Sequence, residues 1–300
     1  MKVLITGAAG QLGRALRSSV PDAIGGELVQ LITTARQGGN GVRALDLTDA
    51  AACRDLVQEL RPDWVINAAA YTAVDRAESE PELGWAVNAG APAVFAEALQ
   101  GIGGRILQLS TDFVFNGQQG TPYQPSQPVD PLGVYGASKA AGERAVLEKL
   151  GGEGRAVVLR TSWVYGPVGK NFLLTMLRLM GEREQLGVVA DQVGCPTSTA
   201  GLAQACWAVL EHALAGVHHW SDAGAASWYD FAMAIRELAL AQGLLQRAAA
   251  VRPLTTAEYP TPAQRPSYSL LDCTASRARL QLEPRHWREA LAAVLRELPG

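Results

Sequence analysis

Cysteine is scarce in this chain of 300 residues: Cys53, Cys195, Cys206 and Cys273 are its four, and they stand far apart. So few and so scattered, they neither frame a disulfide-stapled fold nor form the close pairs of a thiolate metal centre. Histidine is equally sparse, with four residues. His218 and His219 are neighbours, which in a strand sends them to opposite faces and away from any shared ion. Long apolar runs are missing as well: no stretch reaches the ~18 residues that a membrane-spanning helix needs. The opening segment places Lys2 before apolar residues, but Gly7, Gly10, Gln11 and Arg14 interrupt it where a membrane-entering leader stays apolar. A cytoplasmic location is the expectation. There is no surplus of positive charge either. With 26 Lys and Arg against 29 Asp and Glu, the formal charge is −3, and no basic run marks a grip on a phosphate backbone. Neither nucleic acid nor membrane is an expected partner.

What is present fits a globular protein with a large core: 48% of residues are hydrophobic and 18% charged. Short apolar runs at residues 2–6, 28–34, 63–70, 105–110 and 156–159 read as strands, with a weaker one at 43–45. Helix-like stretches at 11–20, 48–60 and 80–100 lie between them. This alternation predicts an α/β fold of Rossmann type, a parallel sheet with helices on both faces. Residues 116–133 hold four prolines and three glycines and read as a long ordered loop. A helix follows at 135–150. Further helices are expected at 171–180, 198–214, 227–243 and 287–295, with a strand at 186–190; residues 255–269 show no core pattern. Residues 1–165 are therefore read mainly as a nucleotide-binding domain. Residues 166–300 are read mainly as a smaller substrate-binding region, with some segments returning to the first.

Gly7, Gly10 and Gly13 are spaced three apart between the first strand and the first helix. Missing side chains at Gly7 and Gly10 let backbone approach a pyrophosphate, whose charge meets the free N–H groups of the helix start. Gly13 lets that helix pack closely on the sheet. A cofactor holding its ribose by an acid after the second strand is not supported, because that stretch reads Thr33-Thr34-Ala35-Arg36. Arg36 is either a partner for a 2′-phosphate or a loop arginine facing solvent.

Tyr135 and Lys139 stand four apart at the start of a helix and share a face. A free tyrosine is a poor acid–base group near neutrality; a neighbouring ammonium favours the phenolate and is expected to lower the tyrosine pKa. Such a pair suits ketone reduction, in which Tyr135 protonates the developing alkoxide and Lys139 bonds the nicotinamide ribose. Thr111 ends an earlier strand, at the edge where doubly wound folds collect ligands, and its hydroxyl is placed to polarise the substrate oxygen. Asn88 is either a helper at the site or a core or capping residue.

The strings that carry these residues resemble the extended short-chain dehydrogenase/reductases, and within them the dTDP-4-dehydrorhamnose reductases. They are Thr6-Gly7-Ala8-Ala9-Gly10-Gln11-Leu12-Gly13, Asn67-Ala68-Ala69-Ala70-Tyr71-Thr72-Ala73-Val74-Asp75, Leu109-Ser110-Thr111-Asp112-Phe113-Val114-Phe115 and Tyr135-Gly136-Ala137-Ser138-Lys139. Arg160-Thr161-Ser162-Trp163-Val164-Tyr165, Asp191-Gln192-Val193-Gly194-Cys195-Pro196-Thr197 and Arg265-Pro266 continue the match over nearly the whole chain. The resemblance implies reduction of the C4 ketone of dTDP-4-dehydro-6-deoxy-L-mannose to dTDP-L-rhamnose by NADPH or NADH, with Thr111, Tyr135 and Lys139 catalytic. It implies that Gln11, Leu12, Asp46, Leu47, Ala68, Ala69 and Ala70 join the glycine turn at the cofactor. Val74, Asp75, Asp112, Trp163, Asn171 and Arg265 are implied for the dTDP-sugar pocket. A homodimer and a need for or tolerance of Mg²⁺ are also implied, though no acidic cluster is specific enough to name ligands.

Plainer readings stand beside these. Trp163 is also a candidate core residue, while Asp75 and Asn171 are candidate helix caps. Arg265 has the better chemistry for a ligand, since its fork matches phosphate oxygens. Asp112 is followed by Phe113 where a related dehydratase has a glutamate, which counts against dehydration. An epimerase and a non-catalytic cofactor-binding subunit are the remaining alternatives; retention of Tyr135 and Lys139 disfavours the second.

Overall fold

The computed structural model describes residues 1–299. Seven parallel strands form the central sheet: β1 (Lys2–Thr6), β2 (Gln30–Ala35), β3 (Arg43–Ala44), β4 (Trp64–Asn67), β5 (Arg105–Thr111), β6 (Ala156–Thr161) and β7 (Gly216–His219). Their spatial order is β7-β6-β5-β4-β1-β2-β3. The chain therefore reverses its direction of growth between β1 and β4, and the crevice beyond the carboxyl ends of those two strands is where a doubly wound sheet binds ligands.

Burial on both faces explains the uninterrupted apolar strands. Val3 and Ile5 point to one side, packed with Leu12 and Leu16 of α1 (Gln11–Ser18). Leu4 points to the other, among Leu56 of α2 (Ala50–Leu60), Phe95 of α3 (Ala91–Ile102) and Val146 of α4 (Val134–Leu150). Each such fully buried side chain contributes about 1.5–3 kcal/mol. A separate core, with Tyr165, Leu173, Phe231, Ile235 and Leu291, is built by α5 (Phe172–Glu182), α7 (Trp228–Ala241) and α8 (Trp287–Arg296). Between α5 and α7 in sequence, α6 (Thr199–Glu211) returns to the sheet and packs on α1, and β7 then pairs with β6. No helix among the described residues is long and apolar enough to cross a membrane.

Three expected boundaries move for local reasons. Helix α1 stops at Ser18, because the hydroxyls of Ser18 and Ser19 turn back onto the Ala15 carbonyl at 3.0 and 2.8 Å. The strand expected from residue 28 begins at Gln30, because Glu27–Leu28 pairs instead with Ala23–Ile24 in a small hairpin. The helix expected over 80–100 is broken into Pro81–Trp85, a π turn at Ala86–Gly90, and α3. Asn88 lies in that π turn, fully engaged: its Oδ1 accepts from Tyr71 N at 2.9 Å, and its Nδ2 donates to Tyr71 O and to Ser138 Oγ.

Candidate active site

A cleft of about 740 Å³ opens at the carboxyl ends of β1, β4 and β5. Gly7 forms its floor at φ +70°, a left-handed conformation, with no room for a side chain: a Cβ there would lie 2.8 Å from Ala69 backbone atoms. Gly13 does not line the cleft. It lies behind the turn, where a Cβ would stand 2.2 Å from the Gly7 carbonyl oxygen, so its smallness shapes the turn from beneath. Gly10, Gln11, Leu12, Ala68, Ala69 and Ala70 all line the cleft, as do Arg36, Asp46 and Leu47 at its far end. A channel with glycine backbone on one side and alanines on the other fits an elongated dinucleotide.

Arg36 is mostly exposed and pairs with Asp46 at 3.6 Å. Asp46 also accepts from Thr48 N and Oγ1, and these hydrogen bonds, ahead of the arginine's charge, hold its carboxyl below the usual range. Arg36 thus sits at the cleft rim with its charge largely in water, a position that both sequence readings allow.

At the other end of the cleft the side chains come from α4 and β5. Tyr135 and Lys139 line it together. The absent side chain of Gly136 draws the helix against the 3₁₀ turn Asp112–Val114, since a Cβ there would fall 2.2 Å from the Phe113 carbonyl oxygen. Phe113 meets the Tyr135 ring edge-on at 5.6 Å. The Thr111 hydroxyl is a hydrogen-bond neighbour of the Tyr135 phenol; it also donates to Asp112 Oδ1 at 3.1 Å and accepts from Phe113 N at 3.2 Å.

One expectation needs correcting here. Lys139 does not lower the tyrosine pKa: burial pushes Tyr135 up to about 12, and only the Thr111 hydrogen bond opposes it. The reason is that the amine loses its proton before the phenol does, so it carries no charge where the phenol would ionise. Lys139 Nζ donates to the Leu109 carbonyl at 2.6 Å, and burial pulls that amine down to about 8 against the opposing charge of Glu143. Asp112 is buried too, and burial pushes it up to about 6 despite hydrogen bonds from Ser269 and Thr111.

The residues expected to hold the sugar are dispersed around this centre. Val74 and Tyr135 share a small second hollow with Gly133, Ala263 and Gln264. Asp75 and Arg265 are joined to each other at 2.9 Å, and the guanidinium hydrogen bond, foremost, holds the Asp75 carboxyl below its usual range. Arg265 further donates to Thr261 Oγ1 and to the Ala263 carbonyl, so it ties residues 261–265 to the N-terminal part. Trp163, at φ +46°, stacks on Trp228 with centroids 3.6 Å apart and planes at 6°. Asn171 takes the capping role: its Oδ1 accepts from Leu174 N, while its Nδ2 reaches Gln11 Oε1 at 2.8 Å. Neither Trp163 nor Asn171 lines the two hollows, although Val164, Gly169 and Lys170 line the main one.

Sequence reasoning passed over Ser110, Lys170 and Thr161, all of which line the cleft, and Ser269, which bonds Asp112 at 2.5 Å. Among the described residues no group of three or more His, Cys, Asp or Glu side chains comes together as a metal site. The described residues of one chain thus offer no ligand set for the magnesium implied by resemblance.

A model of the family described as RmlD substrate binding domain matches residues 1–299. The chain belongs to that family. Among RmlD-type relatives, the dTDP-4-dehydrorhamnose reductase of Streptomyces griseus is 44% identical, over 99% of this chain and 94% of its own. The same-named protein of Aggregatibacter actinomycetemcomitans is 39% identical over 98% of each. A crystal structure of dTDP-4-dehydrorhamnose reductase from Bacillus anthracis in complex with NADP superposes with a TM-score of 0.88 at 35% identity, covering 99% of both chains. The resemblance to dTDP-4-dehydrorhamnose reductases within the extended short-chain dehydrogenase/reductases is thus borne out, as is the Rossmann-type fold. As a member of this family the chain is an NAD(P)H-dependent reductase.

Proposed function

We propose that this RmlD-type chain reduces the C4 ketone of dTDP-4-dehydro-6-deoxy-L-mannose to dTDP-L-rhamnose, with Tyr135 as the proton donor. The observation that carries the reading is that Tyr135 and Lys139 line one cleft together with Gly7 and Gly10, with Thr111 beside the Tyr135 phenol. A phenol raised to about 12 keeps its proton at neutral pH, so Tyr135 stands ready as an acid and not as a phenolate. NADPH or NADH, when bound along Gly7 and Ala69, supplies the hydride. Lys139, held on the Leu109 carbonyl, presents its remaining N–H groups to the ribose side of the cleft, and Thr111 orients the Tyr135 hydroxyl.

The pairing of Asp75 with Arg265 supports a sugar-nucleotide pocket bounded by residues 261–265, with Val74, Asp112 and Trp163 around it. In this reading residues 1–165 mainly hold cofactor and residues 166–300 mainly hold substrate, in the cytoplasm, as a homodimer.

The test is the oxidation of NADPH, and separately of NADH, in the presence of dTDP-4-dehydro-6-deoxy-L-mannose, with the product identified by mass and sugar stereochemistry. Tyr135→Phe is expected to lose about 10²–10⁴-fold in turnover with cofactor affinity nearly unchanged. Wild-type turnover in that variant would remove Tyr135 as donor. Tightly bound cofactor with no net oxidation would point to an epimerase.

A further inference from the structure

Three consecutive residues at the end of β5 each meet one member of a stripe on α4. The Leu109 carbonyl accepts from Lys139, the Ser110 hydroxyl donates to Glu143, and the Thr111 hydroxyl neighbours Tyr135. The stripe, Tyr135, Lys139 and Glu143, advances four residues at a time along one face. Glu143 is only 3% exposed. Both its oxygens are gripped by Arg160 of β6, Oε2 from Nη2 at 2.7 Å and Oε1 from Nε at 3.0 Å. Arg160 in turn donates to the Pro125 carbonyl, stands 3.4 Å from His219 Nε2 and lies over the Phe115 ring. A buried ion pair is a poor source of stability compared with apolar packing, so its place one turn beyond Lys139 calls for another reason.

We propose that Glu143 is a positioning residue for the reduction: its carboxylate, fixed by Arg160 and Ser110, keeps the Lys139 ammonium charged on a buried helix face and pins the strand end between Leu109 and Thr111. The inference rests on the ketoreductase reading, in which Lys139 acts as a cation.

The charges around Lys139 give this a sign. Burial drags the amine down to about 8, and Glu143 is the group that opposes the fall. Tyr135 on the same helix stays neutral, pushed up to about 12, and Asp112 after β5, near 6, is anionic above that pH. On β6 Arg160 is a permanent cation. On β7 His219, pulled down to about 3 by burial and by Arg160, is neutral. Lys139 is therefore the member of this set that changes charge between about pH 7 and 9.

The chain has just four lysines, Lys2, Lys139, Lys149 and Lys170. Labelling lysine Cε with ¹³C gives four resonances, and Lys139→Met identifies the buried one. In Glu143→Gln the Lys139 signal is expected to titrate about one unit lower, because the favourable anion is gone and the Arg160 charge remains. The alkaline limb of kcat/KM for NADPH-dependent ketone reduction should move the same way. The double variant Glu143→Gln/Arg160→Met removes both charges and tolerates burial better, so it carries the test should the single variant fail to fold. Its shift keeps the same sign but is smaller. Lys139 titrating at the wild-type pH in either folded variant overturns the proposal, even where activity is lost, since Glu143 would then be a packing strut. Because the titration is read on the protein alone, its failure is distinguishable from absence of sugar-nucleotide turnover in the wild type.

Discussion

Gly13 shows how little tolerance the glycine turn has at the level of single atoms. The contact to the Gly7 carbonyl oxygen leaves no space for a methyl group, and neither partner is the end of a flexible side chain. Gly13→Ala is expected to destabilise the fold by about 1–3 kcal/mol, the range for an overpacked site. It should also weaken NADPH binding at least about tenfold, as the helix N–H groups swing off the phosphate. Thermal melts and a titration of nicotinamide fluorescence measure the two effects. Unchanged affinity would place the phosphates elsewhere. The turn was legible because its three glycines are local in sequence and their spacing follows from one βα connection. The state of Tyr135 was not legible. A four-residue spacing places Lys139 on the same face, but it does not say that burial will draw the amine down to about 8 and the phenol up to about 12.

At the scale of elements, the π turn at Ala86–Gly90 bends the polypeptide between Pro81–Trp85 and α3 so that Asn88 can clasp Tyr71 from both sides. Tyr71 lines the cleft just after the three alanines, so this clasp holds that wall of the cleft in register. Asn88→Ala strands the N–H and carbonyl of Tyr71 and is expected to cost about 2 kcal/mol or more. Chemical denaturation reads the loss directly; a variant as stable as the wild type would mean that solvent replaces the amide. Composition hid this feature. A π turn uses the same residues as an α-helix, so residues 80–100 read as one helix, although Gly84, Asn88, Gly90 and Pro92 interrupt it as poor helix formers. Strands β1 and β5 were plain by contrast, since double-sided burial leaves an unbroken apolar run.

Across the whole molecule, buried titratable groups set how it responds to acid. His219, on the edge strand β7, is fully buried, and desolvation together with the Arg160 charge holds its imidazole down to about 3. For a base whose folded pKa is depressed, the unfolded chain binds the proton first. Its contribution to stability is complete above about pH 6.5 and is lost as the pH falls toward 3. Asp112 and Asp222, raised to about 6 and 7, act with the opposite sign in the same window. A comparison of wild type with His219→Gln cancels them. The stability of the wild type relative to this variant is expected to increase by up to about 1.4 kcal/mol per pH unit from about pH 4 to 6.5. A flat difference in urea-denaturation free energies would remove His219 from the acid response. The sheet itself was readable from strand and helix alternation, yet β7 escaped notice. Its four residues include two histidines, and nothing in Gly216–His219 resembles an apolar strand until β6 and the helix Thr274–Leu280 pack beside it.

That late return of β7 has a bearing on synthesis. As the chain leaves the ribosome, β6 completes its pairing with β5 while its outer edge still offers bare N–H and carbonyl groups. The apolar side of α1 likewise waits for α6. Nascent chains halted between residues 165 and 215 thus present an open strand border and an uncovered apolar face, the surfaces through which unfinished proteins join one another. The sheet cannot be finished first and the rest appended; translation has to pass His219 before its outer edge is closed.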